Sequence, residues 1–144
     1  MQIPRRKSEE LRRIVEGPLH ITEKGLSDLK EKLARLKSAL PEYVAETQRA
    51  AALGDRSEND EYREAKSRLT RTHWQILTIT DQIKRAAIIP SGKNTSGIVK
   101  LGSSVVLKMS DGLETFRIVG PYETNPSLGR ISFQSPLGAA LMNH

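Results

Sequence analysis

The chain has 144 residues, enough for one ordinary domain or for a small domain beside an elongated element. Its 23 Lys and Arg against 17 Asp and Glu give a net charge of +6, which suits an anionic partner without specifying one. Cysteine is absent, so disulfides and thiolate metal sites are excluded; His20, His73 and His144 lack ligand-like spacing, and no Ser/His/Asp arrangement can be read. A hydrolase acting alone is therefore not expected.

Residues 1–19 form a basic extension. Arg5, Arg6 and Lys7 are not followed by an apolar stretch, so this is not a secretory signal. No apolar run is long enough to span a bilayer, and the expected location is the cytoplasm, with no membrane partner. Ser8, Glu9 and Glu10 before Leu11, Ile14 and Val15 have the look of a short capped helix that ends at Gly17-Pro18.

Residues 20–89 predict a helical hairpin. Thr22 is a suitable N-cap, and Leu26, Leu29, Leu33, Leu36 and Leu40 follow at steps of three and four. Val44, Thr47 and Ala51 continue that seam to Gly54, and Pro41 should kink the helix or end its first part. A second helix is expected from Ser57 or Glu58. In it Tyr62, Leu69, Ile76 and Ile83 lie seven apart, with Ala65, Thr72, Ile79 and Ala86 in companion positions. Two such helices joined by a short loop must be antiparallel neighbours, and about thirty residues make a rod on the order of 45 Å. Trp74 falls opposite the seam.

After Ile89-Pro90 the texture changes, with Gly and Pro recurring every several residues. Val105 and Leu107, a turn at Ser110-Asp111-Gly112, then Phe116, Ile118 and Val119 read as a β-hairpin. Ile131-Ser132-Phe133 is a third strand, and Ser135 caps a short helix with Pro136 at its first position. The fold class is α+β, a coiled-coil hairpin (20–89) followed by a small β-rich domain (90–144).

Two clusters carry chemistry. The turn at 54–62 holds Asp55, Glu58, Asp60 and Glu61 at the far end of the predicted rod. Carboxylates this close repel unless solvated, capped or bound to a cation. The plain alternative is a solvated turn whose acids favour the start of a helix. Beyond it, Arg63 and Lys66 share one helical face while Arg68 and Arg71 flank the other side. These could attract phosphate, or form a solvated face with Glu64–Arg68 as an (i, i+4) pair.

The tip Leu53-Gly54-Asp55-Arg56-Ser57-Glu58-Asn59, with Tyr62 and Lys66 following, resembles the Gre transcript-cleavage factors of bacterial RNA polymerase, and is closer to their GreB branch than to GreA. Ile21-Thr22-x-x-Gly25 resembles the family's start. Phe116-Arg117-Ile118-Val119-Gly120 and Ile131-Ser132-x-x-Ser135-Pro136 resemble its C-terminal domain, and the likeness covers roughly residues 20–142. It implies that the hairpin enters the polymerase's secondary channel and stimulates the enzyme's own cleavage of backtracked RNA. By the same likeness Asp55 and Glu58 would hold a weakly bound Mg²⁺ shared with the polymerase, and Ser57 would help orient the attacking water. Arg63, Lys66, Arg68 and Arg71 would contact the nascent RNA 3′ segment. Gln134, Ser135 and Pro136 would dock on the channel rim.

Two departures from the family pattern stand out. The sequence stops at His144, shortly after Ser135-Pro136, where family members continue through strands that complete an FKBP-like antiparallel domain, so that domain is expected to be incomplete. Gln134 stands where GreB-like proteins carry an acid and GreA-like ones an amide. Two other functions remain open: a Gre-fold regulator that occupies the channel without promoting cleavage, favoured by the extra acid Asp60, and a hairpin interaction module with no polymerase role.

Overall fold

A computed structural model describes residues 17–55, 58–90 and 94–144. The helix expected over residues 8–15, and Arg56 and Ser57 of the tip, lie outside them. In chain order the elements are β1 (Leu19–Ile21), α1 (Glu23–Ala51), α2 (Asp60–Arg85), β2 (Ala86–Ile88), β3 (Ser104–Met109), β4 (Gly112–Val119), β5 (Arg130–Ser132) and α3 (Pro136–Leu141). The chain divides into two compact units, residues 26–84 and a base formed by the segments before Leu26 and after Lys84.

In the first unit, α1 and α2 are antiparallel neighbours. Asn59 at the start of α2 reaches Ala50 at the end of α1, and Arg68, nine residues further on, reaches Glu46 and Tyr43. The seam read from the sequence is the covered face. Ala65, Thr72 and Ile79 are buried, and Tyr62, Leu69, Ile76 and Ile83 are half-buried, as are the seam leucines of α1. Two helices can cover only one stripe of each other, so most seam residues keep a solvated edge. Thr72 is tolerated inside the seam because its hydroxyl donates to the Arg68 carbonyl at 2.9 Å. Pro41 lies within α1 and does not end it. Trp74 is exposed.

The base is built from two sheets. β1 and β2 pair in parallel, Leu19 opposite Ala86 and Ile21 opposite Ile88, and the Ile89 N–H donates to the Ile21 carbonyl at 2.8 Å. This corrects the expectation of a helix running on to Ile89. The helix ends at Arg85, and Ala86, assigned to the coiled-coil seam, is a strand residue. The β-branched run Ile88-Ile89 finds its partner in a segment more than sixty positions earlier, which periodicity cannot reveal. The second sheet has the order β3-β4-β5. β3 and β4 form the expected antiparallel hairpin across Ser110-Asp111, with Met109 opposite Gly112. β5 instead joins β4 in parallel, Ile118 opposite Ile131, after a crossover through two 3₁₀ turns at Pro121–Glu123 and Pro126–Leu128. Leu19, Ile21, Ile89, Ile118 and Val119 make the core of the base.

Glu123 ties the start of α1 into this base. The Thr22 N–H donates to Glu123 Oε2 at 2.7 Å, the Thr22 hydroxyl donates to Oε1, and Thr22 Oγ1 accepts from the Gly25 N–H at 3.1 Å. Thr22 is thus the N-cap, as its sequence position indicates, but the cap is completed by a carboxylate a hundred residues away. A Cβ on Gly25 would lie 2.4 Å from Glu123 Oε1, so the glycine of Ile21-Thr22-x-x-Gly25 makes room for that carboxylate. Ser135 caps α3 by accepting from the Gly138 N–H at 3.1 Å, with Pro136 in the first turn. Asn143 and His144 exchange backbone hydrogen bonds with Val99.

Candidate functional site

The tip is assembled from the two ends of α1 and α2. The last turn of α1 tightens as the Ala52 N–H reaches the Gln48 and Arg49 carbonyls at 3.3 and 3.2 Å. Gly54 then adopts a φ of +129°, a region that a side chain rarely occupies, and turns the chain out of the helix. Asp55 and Glu58 are both exposed on the loop that follows. α2 begins at Asp60, later than Ser57 or Glu58, because Asn59 is its cap: Asn59 Oδ1 accepts from the Tyr62 N–H at 3.0 Å. The same side chain donates from Nδ2 to the Ala50 carbonyl at 2.9 Å. Asp60 and Glu61 occupy the first turn of α2, where negative charge is favoured.

Among the described residues no group of three or more His, Asp or Glu side chains is placed to hold a metal. The donor chemistry of the turn nevertheless suits Mg²⁺. Asp55 and Glu58 offer hard oxygen ligands at an accessible turn, and Mg²⁺ is often held by one or two carboxylates with substrate phosphate completing the shell.

The four α2 cations expected to contact RNA, Arg63, Lys66, Arg68 and Arg71, have unequal surroundings. Arg68 is committed to the hairpin. Its guanidinium donates to both oxygens of Glu46 at 3.2 and 3.1 Å and to Glu64 at 3.5 Å, and it lies 5.7 Å from the Tyr43 ring centre. Arg63 pairs with Asp60 at 3.4 Å, and the Lys66 ammonium lies 5.9 Å from the centre of the Tyr62 ring. Arg63, Lys66 and Arg71 are exposed. On α1, the hydrogen bond from Arg49 to Glu42 at 2.8 Å, reinforced by the charge of the same carboxylate, raises the guanidinium pKa above its ordinary value.

Of the residues expected to dock, Gln134 and Pro136 are exposed, whereas Ser135 is half-buried. The Ser135 hydroxyl donates to the Ser132 carbonyl at 2.7 Å while accepting from Gly138, so it serves the local fold. Gln134 also borders a cleft of about 390 Å³ in the base, lined by Pro18, His20, Arg85, Tyr122 and Phe133. His20 meets Phe133 edge-on at 5.7 Å, and Arg85 donates to the Gly17 carbonyl at 2.9 Å. Sequence reasoning missed this cleft because four separate segments form it; the aromatic Tyr122 directly after Gly120-Pro121 was its one local signal.

Residues 19–88 match the family described as transcription elongation factor, N-terminal, and residues 94–144 match transcription elongation factor, GreA/GreB, C-term. The chain belongs to the GreA/GreB family. Transcription elongation factor GreA of Chloroflexus aggregans is 38% identical over 132 residues, covering 90% of this chain and 84% of the relative. The GreA of Treponema pallidum strain Nichols is 37% identical over 128 residues, covering 87% and 79%. Both carry the GreA name, whereas the sequence of residues 53–59 led to the expectation of a GreB-like tip. Among solved structures, the transcription factor Gfh1 is 27% identical over 88% of this chain and 83% of its own, at a TM-score of 0.49. Among the described residues no helix is long and apolar enough to cross a membrane.

Proposed function

We propose that this Gre-family protein inserts its hairpin tip into the secondary channel of bacterial RNA polymerase and stimulates the polymerase's cleavage of backtracked RNA. The observation that carries the reading is the exposure of Asp55 and Glu58 together on the turn that closes α1 and α2. The protein is a cofactor of the polymerase active centre, not an enzyme in its own right, and acts in the cytoplasm where that polymerase works.

Phosphodiester hydrolysis needs charge neutralised on the attacking and leaving oxygens, which Mg²⁺ supplies when bound beside a second ion. Asp55 and Glu58 are the residues that would hold it. Two carboxylates on a turn are a weak site alone, so the pair would gain its ligand only where phosphate and a further metal are present. Ser57 would orient the water or its surroundings. Arg63, Lys66 and Arg71 are exposed cations that could steady the RNA 3′ segment, an attraction that weakens with salt. Arg68 contributes less to RNA, since two carboxylates and an aromatic ring already engage it. Gln134 and Pro136 are the exposed candidates for the channel rim.

The test is the cleavage rate of stalled elongation complexes saturated with factor. Asp55→Asn and Glu58→Gln keep shape and remove charge, and each should cut stimulation by roughly a hundredfold or more. The double variant should lose little beyond either single change, because the two ligands act as a unit. Unchanged cleavage in both variants would end the catalytic assignment. A specific feature favours one other reading: Asp60, with a side chain 95% exposed, adds a further acid at the tip. A tip that enters the channel without promoting cleavage would show polymerase binding and no stimulation by the unaltered protein.

A further inference from the structure

The tip has two helix ends to satisfy, and one side chain meets both. The carbonyl of Ala50 lies in the last turn of α1, where its one backbone donor is the Leu53 N–H at a long 3.3 Å, and the N–H of Tyr62 lies in the first turn of α2, where donors lack acceptors. Asn59 donates to the first at 2.9 Å and accepts from the second at 3.0 Å. An amide can do both because it carries a donor nitrogen and an acceptor oxygen on one short stem. Aspartate would cap α2 as well but would present an oxygen to the Ala50 carbonyl. Alanine would do neither.

The consequence concerns residues that Asn59 does not touch. Asp55 and Glu58 both lie inside the segment whose two ends, Ala50 and Asn59, this hydrogen bond joins. We propose that Asn59 is the positioning residue of the acidic tip: its amide locks the end of α1 to the start of α2 and so sets where Asp55, just after α1, and Glu58, just before α2, are presented. The proposal rests on the reading of those two carboxylates given above. Ala50 is buried and Asn59 half-buried, so the lock is partly shielded from competing water.

Asn59→Asp removes the donor and keeps the cap; Asn59→Ala removes both. Amide hydrogen exchange on the whole 144-residue chain reads the lock directly. In Asn59→Asp the N–H group of Leu53, which donates to the Ala50 carbonyl at 3.3 Å, should exchange about fivefold faster or more, with Tyr62 still protected, whereas Asn59→Ala should release Tyr62 as well. In stalled complexes, Asn59→Asp should compete with the unaltered factor for polymerase within about twofold, while its maximal cleavage rate falls roughly tenfold and its Mg²⁺ requirement rises. A merely structural role would lower binding and cleavage together. Unaltered exchange at Leu53 in Asn59→Asp overturns the lock. Altered exchange with normal cleavage overturns its positioning role. If the unaltered protein stimulates no cleavage, the proposed function fails, and the exchange experiment alone still decides whether the lock exists.

Discussion

The hairpin and the base bury their apolar side chains in contrasting ways. In the base, Ile21, Ile89, Ile118 and Val119 are all at most 2% exposed, and they come from β1, β4 and the residue after β2. In the hairpin the buried positions are small or polar, Ala50, Ala65, Thr72 and Gln82, with Ile79 as the one large aliphatic side chain among the described residues. Apart from Ile79, its Leu and Ile seam is half-covered. One unit concentrates its stabilisation in a few residues that meet from distant parts of the chain. The other spreads it along two continuous segments, so that no single contact dominates.

That contrast should appear first in core truncations. Ile118→Ala should cost about 2–5 kcal/mol in urea unfolding, because the site is closed on all sides. Ile76→Ala, half-buried on the seam, should cost roughly 1 kcal/mol by the area it loses. Equal losses would erase the distinction between the two units.

A smaller effect tests how the base secures the beginning of α1. Gly25→Ala places a methyl against the Glu123 carboxylate and should cost about 1–2 kcal/mol by disturbing the Thr22 cap; Glu123→Ala should cost a similar amount. Together the two should be clearly sub-additive in a double-mutant cycle, since both act on one constellation. Additive losses would show that Gly25 serves something other than that carboxylate.

Charge on the hairpin should matter less still. Arg68→Met keeps the stem and removes the pairs to Glu46 and Glu64. Because Arg68 is 40% exposed, the loss should be at most about 1 kcal/mol and should shrink further in about 1 M salt. A salt-independent loss would point to the Tyr43 contact instead. The smallest change is expected at Trp74, which is 66% exposed: Trp74→Ala should alter stability by no more than about 0.5 kcal/mol, and iodide should quench its fluorescence freely in the isolated protein.

The heptad spacing of Leu69, Ile76 and Ile83 with Ala65, Thr72 and Ile79 was sufficient to place the covered face of α2, because a helix repeats its environment every turn and records it locally. The Ser110-Asp111-Gly112 turn and the Ser135-Pro136 cap were legible for the same reason: each needs only a few adjacent residues with the right stereochemistry. The acidic tip motif was equally plain. What stayed hidden depends on partners remote in sequence. The β1–β2 pairing, the parallel course of β5, the Glu123 carboxylate on Thr22 and the cleft beside Tyr122 join segments that no local pattern relates. Asn59 lies between these cases. Its type and place next to a helix start mark an N-cap, yet only the antiparallel approach of α1 brings the Ala50 carbonyl within reach of the same amide. Hydrogen-bond geometry at that junction is set by where two backbones lie in space, and the order of residues along one of them does not contain it.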